Sequence, residues 1–141
     1  MDLYAENILD HYHHPRGTGS MATPTVRHRE ENLSCGDELT IDLEVAGGKI
    51  KKVSWQGTGC AISQASMSML SEELAGMTTD EAEHLEMKHV IELLHVPVGA
   101  RRTKCALLSL HTLKNALRTH AGLPVQNWNA TIGSTKNSSR D

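Results

Sequence analysis

Residues Leu39-Thr-Ile-Asp-Leu-Glu-Val45, the pair Gly47-Gly48, and Lys49-Ile-Lys-Lys-Val-Ser-Trp-Gln56 decide the fold. Leu39, Ile41, Leu43 and Val45 alternate with Thr40, Asp42 and Glu44, the two-residue period of a half-buried strand. Gly47-Gly48 supplies a tight turn, and a second strand from about Lys49 to Gln56 sets Val53 and Trp55 on one face. The pair predicts an antiparallel hairpin, which tolerates water on one side.

Downstream of Gly57-Thr-Gly59 the period changes. Ile62, Ala65, Met69, Leu70 and Leu74 follow helical spacing as far as Gly76. Thr78 and Glu81 make a capping box that opens a helix carrying Ala82, Leu85 and Val90, running to about Leu94, with Pro97 and Gly99 beyond it. A last helix begins near Lys104, with Ala106, Leu110, Leu113 and Leu117 on one stripe, and stops before Gly122 and Pro124. Upstream, Asp2 caps a helix in which Tyr4, Ile8 and Tyr12 recur, ended by Pro15 and Gly17. Gly17 to Pro24 reads as a loop and Thr25 to Asn32 as an edge strand. Strands followed by helices predict an α+β fold.

The chain has 141 residues, one domain's worth, with 38% hydrophobic residues, no Phe, two Trp and two Tyr. Residues 1–124 are expected to form that domain. Residues 125–141, rich in Asn, Ser and Thr, are expected to be a flexible polar tail. A net charge of -3 gives no broad cationic field for nucleic acid or anionic lipid. No apolar run is long enough to span a membrane and no secretory signal opens the chain, so a cytoplasmic location is expected.

Three cysteines in a reducing compartment suggest metal ligands or reactive thiols rather than a disulfide framework. Each sits at a junction between elements. Cys35 precedes the first clear strand, and Gly36 permits a positive φ that turns Cys35 and Asp37 toward one point. Cys60 and Cys105 stand at helix starts, where the dipole lowers a thiol's pKa, and Arg101, Arg102 and Lys104 add positive charge beside Cys105. Three sulfurs and one carboxylate suit tetrahedral zinc. Cysteine is also a common inert core residue, and the spacings match no zinc finger, so the residues alone leave both readings open.

Of the nine histidines, His11, His13 and His14 fit capping of the first helix. His84, His89 and His95 share no ligand spacing, although His95 stands near enough to Cys105 to be a candidate exchange ligand. His111 and His120 are expected to be exposed or partly buried. Met67, Met69 and Met87 fit core filling. Two other classes compete with a sulfur- and metal-handling site: a cysteine-dependent hydrolase or transferase using Cys60 or Cys105 with a histidine, and a purely structural zinc domain.

Four segments carry a resemblance: Leu3-Tyr-Ala-Glu-Asn-Ile-Leu-Asp-His-Tyr12 with Pro15-Arg16, Glu31-Asn-Leu-Ser-Cys35-Gly-Asp37, Gly57-Thr-Gly-Cys60-Ala-Ile-Ser63, and Arg102-Thr-Lys-Cys105-Ala. Together they resemble the U-type iron–sulfur cluster assembly proteins, the IscU and NifU N-terminal-like family, and most closely its SufU-like branch. The resemblance implies a three-stranded antiparallel sheet with helices packed on one face, and a site of Cys35, Asp37, Cys60 and Cys105. IscU scaffolds carry a histidine directly before the last cysteine, whereas Lys104 stands here. That implies a zinc-bound sulfurtransferase receiving persulfide from a SufS-like cysteine desulfurase, at the residue matching Cys35, with Arg102 in support. The other reading is a non-enzymatic scaffold carrying iron as a transient [2Fe-2S] cluster. Downstream cluster assembly or acceptor proteins are implied as partners. The insertion usual in the SufU-like branch is short here, and His95-Val-Pro-Val-Gly-Ala100 lacks the scaffold branch's chaperone-binding motif.

Overall fold

The computed structural model describes residues 3–133. Three strands, β1 (Val26–Asn32), β2 (Asp37–Ala46) and β3 (Lys49–Thr58), form one antiparallel sheet in the order β1-β2-β3. The helices are α1 (Leu3–His13), α2 (Ala61–Leu74), α3 (Thr79–Glu83), α4 (Met87–Leu94) and α5 (Thr103–His120). The fold is the expected α+β arrangement. Asp2, the expected cap of α1, and the side chain of Tyr4 lie outside the described residues.

Alternation along β2 sorts the sheet into two faces. Leu39, Ile41 and Leu43 are fully buried with Trp55 and Val26, and they pack against Met67, Leu70 and Leu74 of α2 and Leu108, Leu113 and Leu117 of α5. The opposite face carries Arg27, Arg29, Glu31, Glu44 and Lys52, all exposed. Gly47 and Gly48 take φ of 60° and 73°, and the Ala46↔Lys49 pair closes a two-residue turn that only left-handed backbone allows. A register shift between Glu44 and Val45 pairs Val45 with Ile50. Strict alternation from Val53 puts Ile50 on the outer face; the bulge turns it into the core, where it is fully buried.

α2 differs from an ordinary surface helix in being buried nearly all round, between α1, the sheet and α5. Its serines are therefore interior, and they are satisfied. Ser66 Oγ donates to the Ala106 carbonyl at 2.7 Å, Ser68 Oγ accepts from the Arg16 amide at 2.8 Å, and Ser71 Oγ lies 2.8 Å from the Ser68 carbonyl.

Two expectations are corrected. The helix predicted from Thr78 to Leu94 is two helices. Its Thr78–Glu81 capping box is present, but Glu86 and His89 form a second box that starts α4 afresh after residues 84–86. Residues 125–133 are not free either. The stretch 128–133 is helical, Trp128 and Ile132 pack against Val90, Leu107 and Leu110, and the Gln126 amide donates to Asn115 Oδ1 at 2.7 Å. Two apolar side chains and a buried Thr131 anchor a segment whose composition reads as polar. Residues 134–141 of the expected tail lie outside the described residues. Among the described residues no helix is long and apolar enough to cross a membrane.

Candidate metal centre

Three junctions bring the cysteines to one end of the sheet. β1 and β2 are joined by a four-residue loop, Leu33 to Gly36, closed by the Asn32↔Asp37 pair. The Asn32 carbonyl accepts the amides of both Cys35 and Gly36, at 3.2 and 2.9 Å, and Gly36 takes φ 74°. That turn projects Cys35 into solvent while Asp37, the first residue of β2, is 1% exposed. The expected positive φ at Gly36 is thus present. The second junction is Gly59-Cys60, where Cys60 is the N-cap of α2. The third is the 3-10 turn Ala100–Arg102, which runs into α5 and places Cys105 within its first turn, 3% exposed.

The side chains converge. Sγ atoms of Cys35 and Cys105 lie 2.7 Å apart, both as free thiols. Single donor atoms of Cys35, Asp37 and Cys105 all fall within 4.8 Å of one another. Cys60 joins through the carboxylate: its amide donates to Asp37 Oδ1 at 2.9 Å and its Sγ lies 3.8 Å from Oδ2. All four predicted site residues are therefore neighbours, with the Cys60 sulfur attached through Asp37 rather than inside the tight trio. Gly59, at φ 142°, is what lets the carboxylate in, because a Cβ there would overlap Asp37 Oδ1.

The electrostatics are compatible with a bound cation. Asp37 is buried and, among the described residues, forms no ion pair; its one strong contact is the hydrogen bond its Oδ1 accepts from the Cys60 amide. Burial pushes the Cys105 thiol up, and its hydrogen bond to Cys35 and the negative charge of Cys60 and Asp37 push the same way. This overturns the expectation that the helix start and nearby cations leave Cys105 ionised. Cys105 sits inside the helix, not at its rim, so burial outweighs the dipole. A divalent cation among the four donors reverses each of these effects. Three sulfurs and a carboxylate suit zinc, so the donor set fits that metal.

A pocket of about 410 Å³ opens over the cluster, lined by Cys35, Cys60, Arg101, Arg102 and Cys105. Both arginines are exposed at its mouth. Among the described residues no histidine lines this pocket. His95 caps α4 with φ 59° and lines a different cleft, beside Leu93 and Met77. Lys104 points its Nζ over the Trp128 ring, 5.7 Å from the centroid.

Sequence reasoning missed several residues. Asn32, 2% exposed, directs Nδ2 at Cys105 Sγ from 3.9 Å; its signal was its place at the end of β1, opposite Asp37. His11 is buried and bonded through Nδ1 to Ser68 Oγ at 2.7 Å, so it joins α1 to α2 rather than capping α1. His111 is 3% exposed, not partly open: its Nδ1 lies 2.6 Å from Thr131 Oγ1, its Nε2 lies 3.6 Å from Glu30 Oε1, and its ring stacks on Trp128. Met67 and Met69 are in the core as expected, and Met87 packs partly buried beside Val90.

Known proteins with similar sequences and structures bear on this geometry. A family model described as NifU-like N terminal domain matches residues 3–126. The iron–sulfur cluster assembly scaffold protein IscU of Thermotoga maritima is 33% identical, over 82% of this chain and 93% of that protein. The zinc-dependent sulfurtransferase SufU of Bacillus subtilis is 26% identical, over 85% of this chain and 92% of that protein. A crystal structure from Fervidobacterium islandicum, described as FiSufU, superposes with a TM-score of 0.69 at 33% identity, covering 79% of this chain and 94% of that one.

Proposed function

The chain belongs to the NifU-like N-terminal domain family, and from that premise we propose that it serves iron–sulfur cluster assembly by accepting persulfide sulfur at Cys35 within a zinc site. The observation that carries this reading is the gathering of Cys35, Asp37 and Cys105 donor atoms within 4.8 Å, with Cys60 Sγ 3.8 Å from Asp37. Zinc, when bound, keeps thiolates ionised at neutral pH and neutralises the carboxylate. Cys35, Cys60, Cys105 and Asp37 would hold it.

Exposure selects the acceptor. Cys35 is exposed at the loop apex, Cys60 half-buried and Cys105 buried, so Cys35 is the sulfur that a partner's persulfide can approach. The Cys35 thiolate attacks the terminal sulfur of the persulfide on a cysteine desulfurase. A bond forms between Cys35 Sγ and that sulfur, the donor's S–S bond breaks, and the donor cysteine leaves as thiolate. No net oxidation occurs, and the sulfane sulfur now belongs to Cys35. Arg101 and Arg102 at the pocket mouth set positive charge beside the anion that results. Asp37 is the donor that yields during the exchange, because a carboxylate binds zinc less tightly than thiolate does. The hydrogen bond that its Oδ1 accepts from the Cys60 amide keeps it close.

A second reading is favoured by the 33% identity to a scaffold named IscU: the same four residues would carry a transient two-iron cluster as cargo. One experiment separates the two. Protein purified without oxygen is analysed for metal, then mixed with a cysteine desulfurase and cysteine. One zinc per chain, persulfide on Cys35, faster sulfur turnover by the desulfurase, and loss of all transfer in Cys35→Ser are expected. A chain that takes up no sulfur yet holds a stable cluster after iron and sulfide are supplied overturns the sulfur-acceptor reading in favour of the scaffold.

A further inference from the structure

β3 is an edge strand, and its free edge is used unevenly. At Trp55 both backbone groups are taken. Trp55 N–H donates to the Gly17 carbonyl at 3.0 Å and Gly19 N–H donates to the Trp55 carbonyl at 2.9 Å, so residues 17–19 lie along the edge as a short parallel partner. Two residues on, Gly57 presents the same side, since strand backbone repeats with period two and the pairs Ile41↔Trp55 and Leu39↔Gly57 carry no register shift between them. The outward N–H and C=O of Gly57 have no partner among the described residues. They border an open cleft of about 840 Å³, whose far wall is Tyr12, His13 and Pro15.

We infer that this cleft takes an extended segment of the sulfur-donating partner as an added strand, continuing the line of residues 17–19 along β3. Three observations fix the kind of occupant. An outward donor and acceptor on one strand residue match an extended backbone, whereas the interior of a helix has no main-chain groups left to offer them. At Gly57 and Gly59 the side-chain positions face inward, toward Leu39 and Asp37, so the edge presents main chain to the cleft. Tyr12, 39% exposed, offers an aromatic wall for a side chain of the incoming strand. The identity of the partner follows from where the floor leads: Gly57-Thr58-Gly59 runs directly into Cys60, whose amide holds Asp37. A segment seated there anchors its protein beside the cysteines and supplies affinity apart from the sulfur chemistry. The inference rests on the proposed sulfur transfer, and its test keeps the two apart.

Amide exchange is followed residue by residue in the zinc-loaded protein, alone and with a saturating cysteine desulfurase. In the free protein the Trp55 amide is protected and the Gly57 amide is open. With the desulfurase, Gly57 protection is expected to rise at least tenfold. Thr18→Trp, which fills the cleft from an exposed position, is expected to lower desulfurase-driven transfer at least tenfold while leaving zinc content and persulfide uptake from inorganic polysulfide unchanged. Normal transfer with Gly57 exchange unaltered and Thr18→Trp fully active overturns the cleft as the docking site and leaves the sulfur-acceptor reading standing. Protection of Gly57 that rises with protein concentration in the absence of desulfurase overturns it too, making the occupant a second copy of this chain. Absence of any transfer from either donor to the unaltered protein defeats the proposed function itself.

Discussion

Asp37 and Gly59 form the tightest steric dependence in the site. The carboxylate occupies the space that any β-carbon at 59 would need, and the φ of 142° suits no other residue. Gly59→Ala must push Asp37 off its hydrogen bond to the Cys60 amide. Zinc affinity is expected to fall about 10- to 100-fold, the usual cost of disturbing a ligand's support, with far-UV circular dichroism unchanged. Competition against a chromophoric chelator measures it, and unaltered affinity would show that Asp37 does not need its present position. At this scale the sequence was most legible for residues whose role depends on neighbours in the chain: Cys35, Gly36 and Asp37 are contiguous, and the turn they predicted is present. It was least legible for Asn32, His11 and His111, whose partners Cys105, Ser68 and Thr131 lie far away in sequence. Nothing local marks such residues as interior.

The elements themselves were readable wherever one period dominated. β2 and β3 followed from alternation, and α5 from its Leu stripe, because burial on one side selects the pattern. The break between α3 and α4 was not readable, since Leu85 and Val90 continue the helical spacing across it. There the local reward of a second capping box at Glu86 and His89 wins over continuity. Start signals are correspondingly important in this region. Thr78 accepts from the Glu81 amide at 3.0 Å while Glu81 Oε1 accepts from the Thr78 amide at 2.9 Å. Thr78→Ala removes half of that exchange and is expected to cost about 1 kcal/mol, a drop in melting temperature of roughly 3 °C, with zinc binding untouched. Calorimetry of the zinc-loaded protein checks it. A fall in zinc affinity of the same size would instead tie α3 to the site.

At the scale of the whole molecule, two interior imidazoles make stability depend on pH in mild acid. Burial is the main cause holding both His11 and His111 below the ordinary value of 6.5. The unfolded chain therefore takes up protons first as the pH falls, and the folded state loses ground. Stability is expected to be intact above about pH 6.5 and to decline below it, by at most about 1.4 kcal/mol per pH unit for each histidine. Urea midpoints at pH 7.5 and 5.5 measure the decline, and His111→Gln is expected to shrink it. A midpoint independent of pH would mean that neither ring is held neutral. Arg27 acts in the opposite range, keeping the Asp42 carboxyl below 3.8, so that contribution persists until strongly acid conditions. Residues 125–133, part of the expected polar tail, were misjudged for a related reason: their order comes from Trp128 and Thr131 settling on His111, a surface that composition does not reveal.

That same stack gives the protein a built-in optical readout. Of its two indoles, Trp55 is 2% exposed in the core with Nε1 on the Arg16 carbonyl, and Trp128 lies 4.1 Å from the His111 ring. A protonated imidazole quenches indole emission on contact, so acid titration dims the Trp128 component without shifting the blue emission of Trp55. Fluorescence thereby separates charging of one histidine from collapse of the sheet, in a single cuvette and without any label.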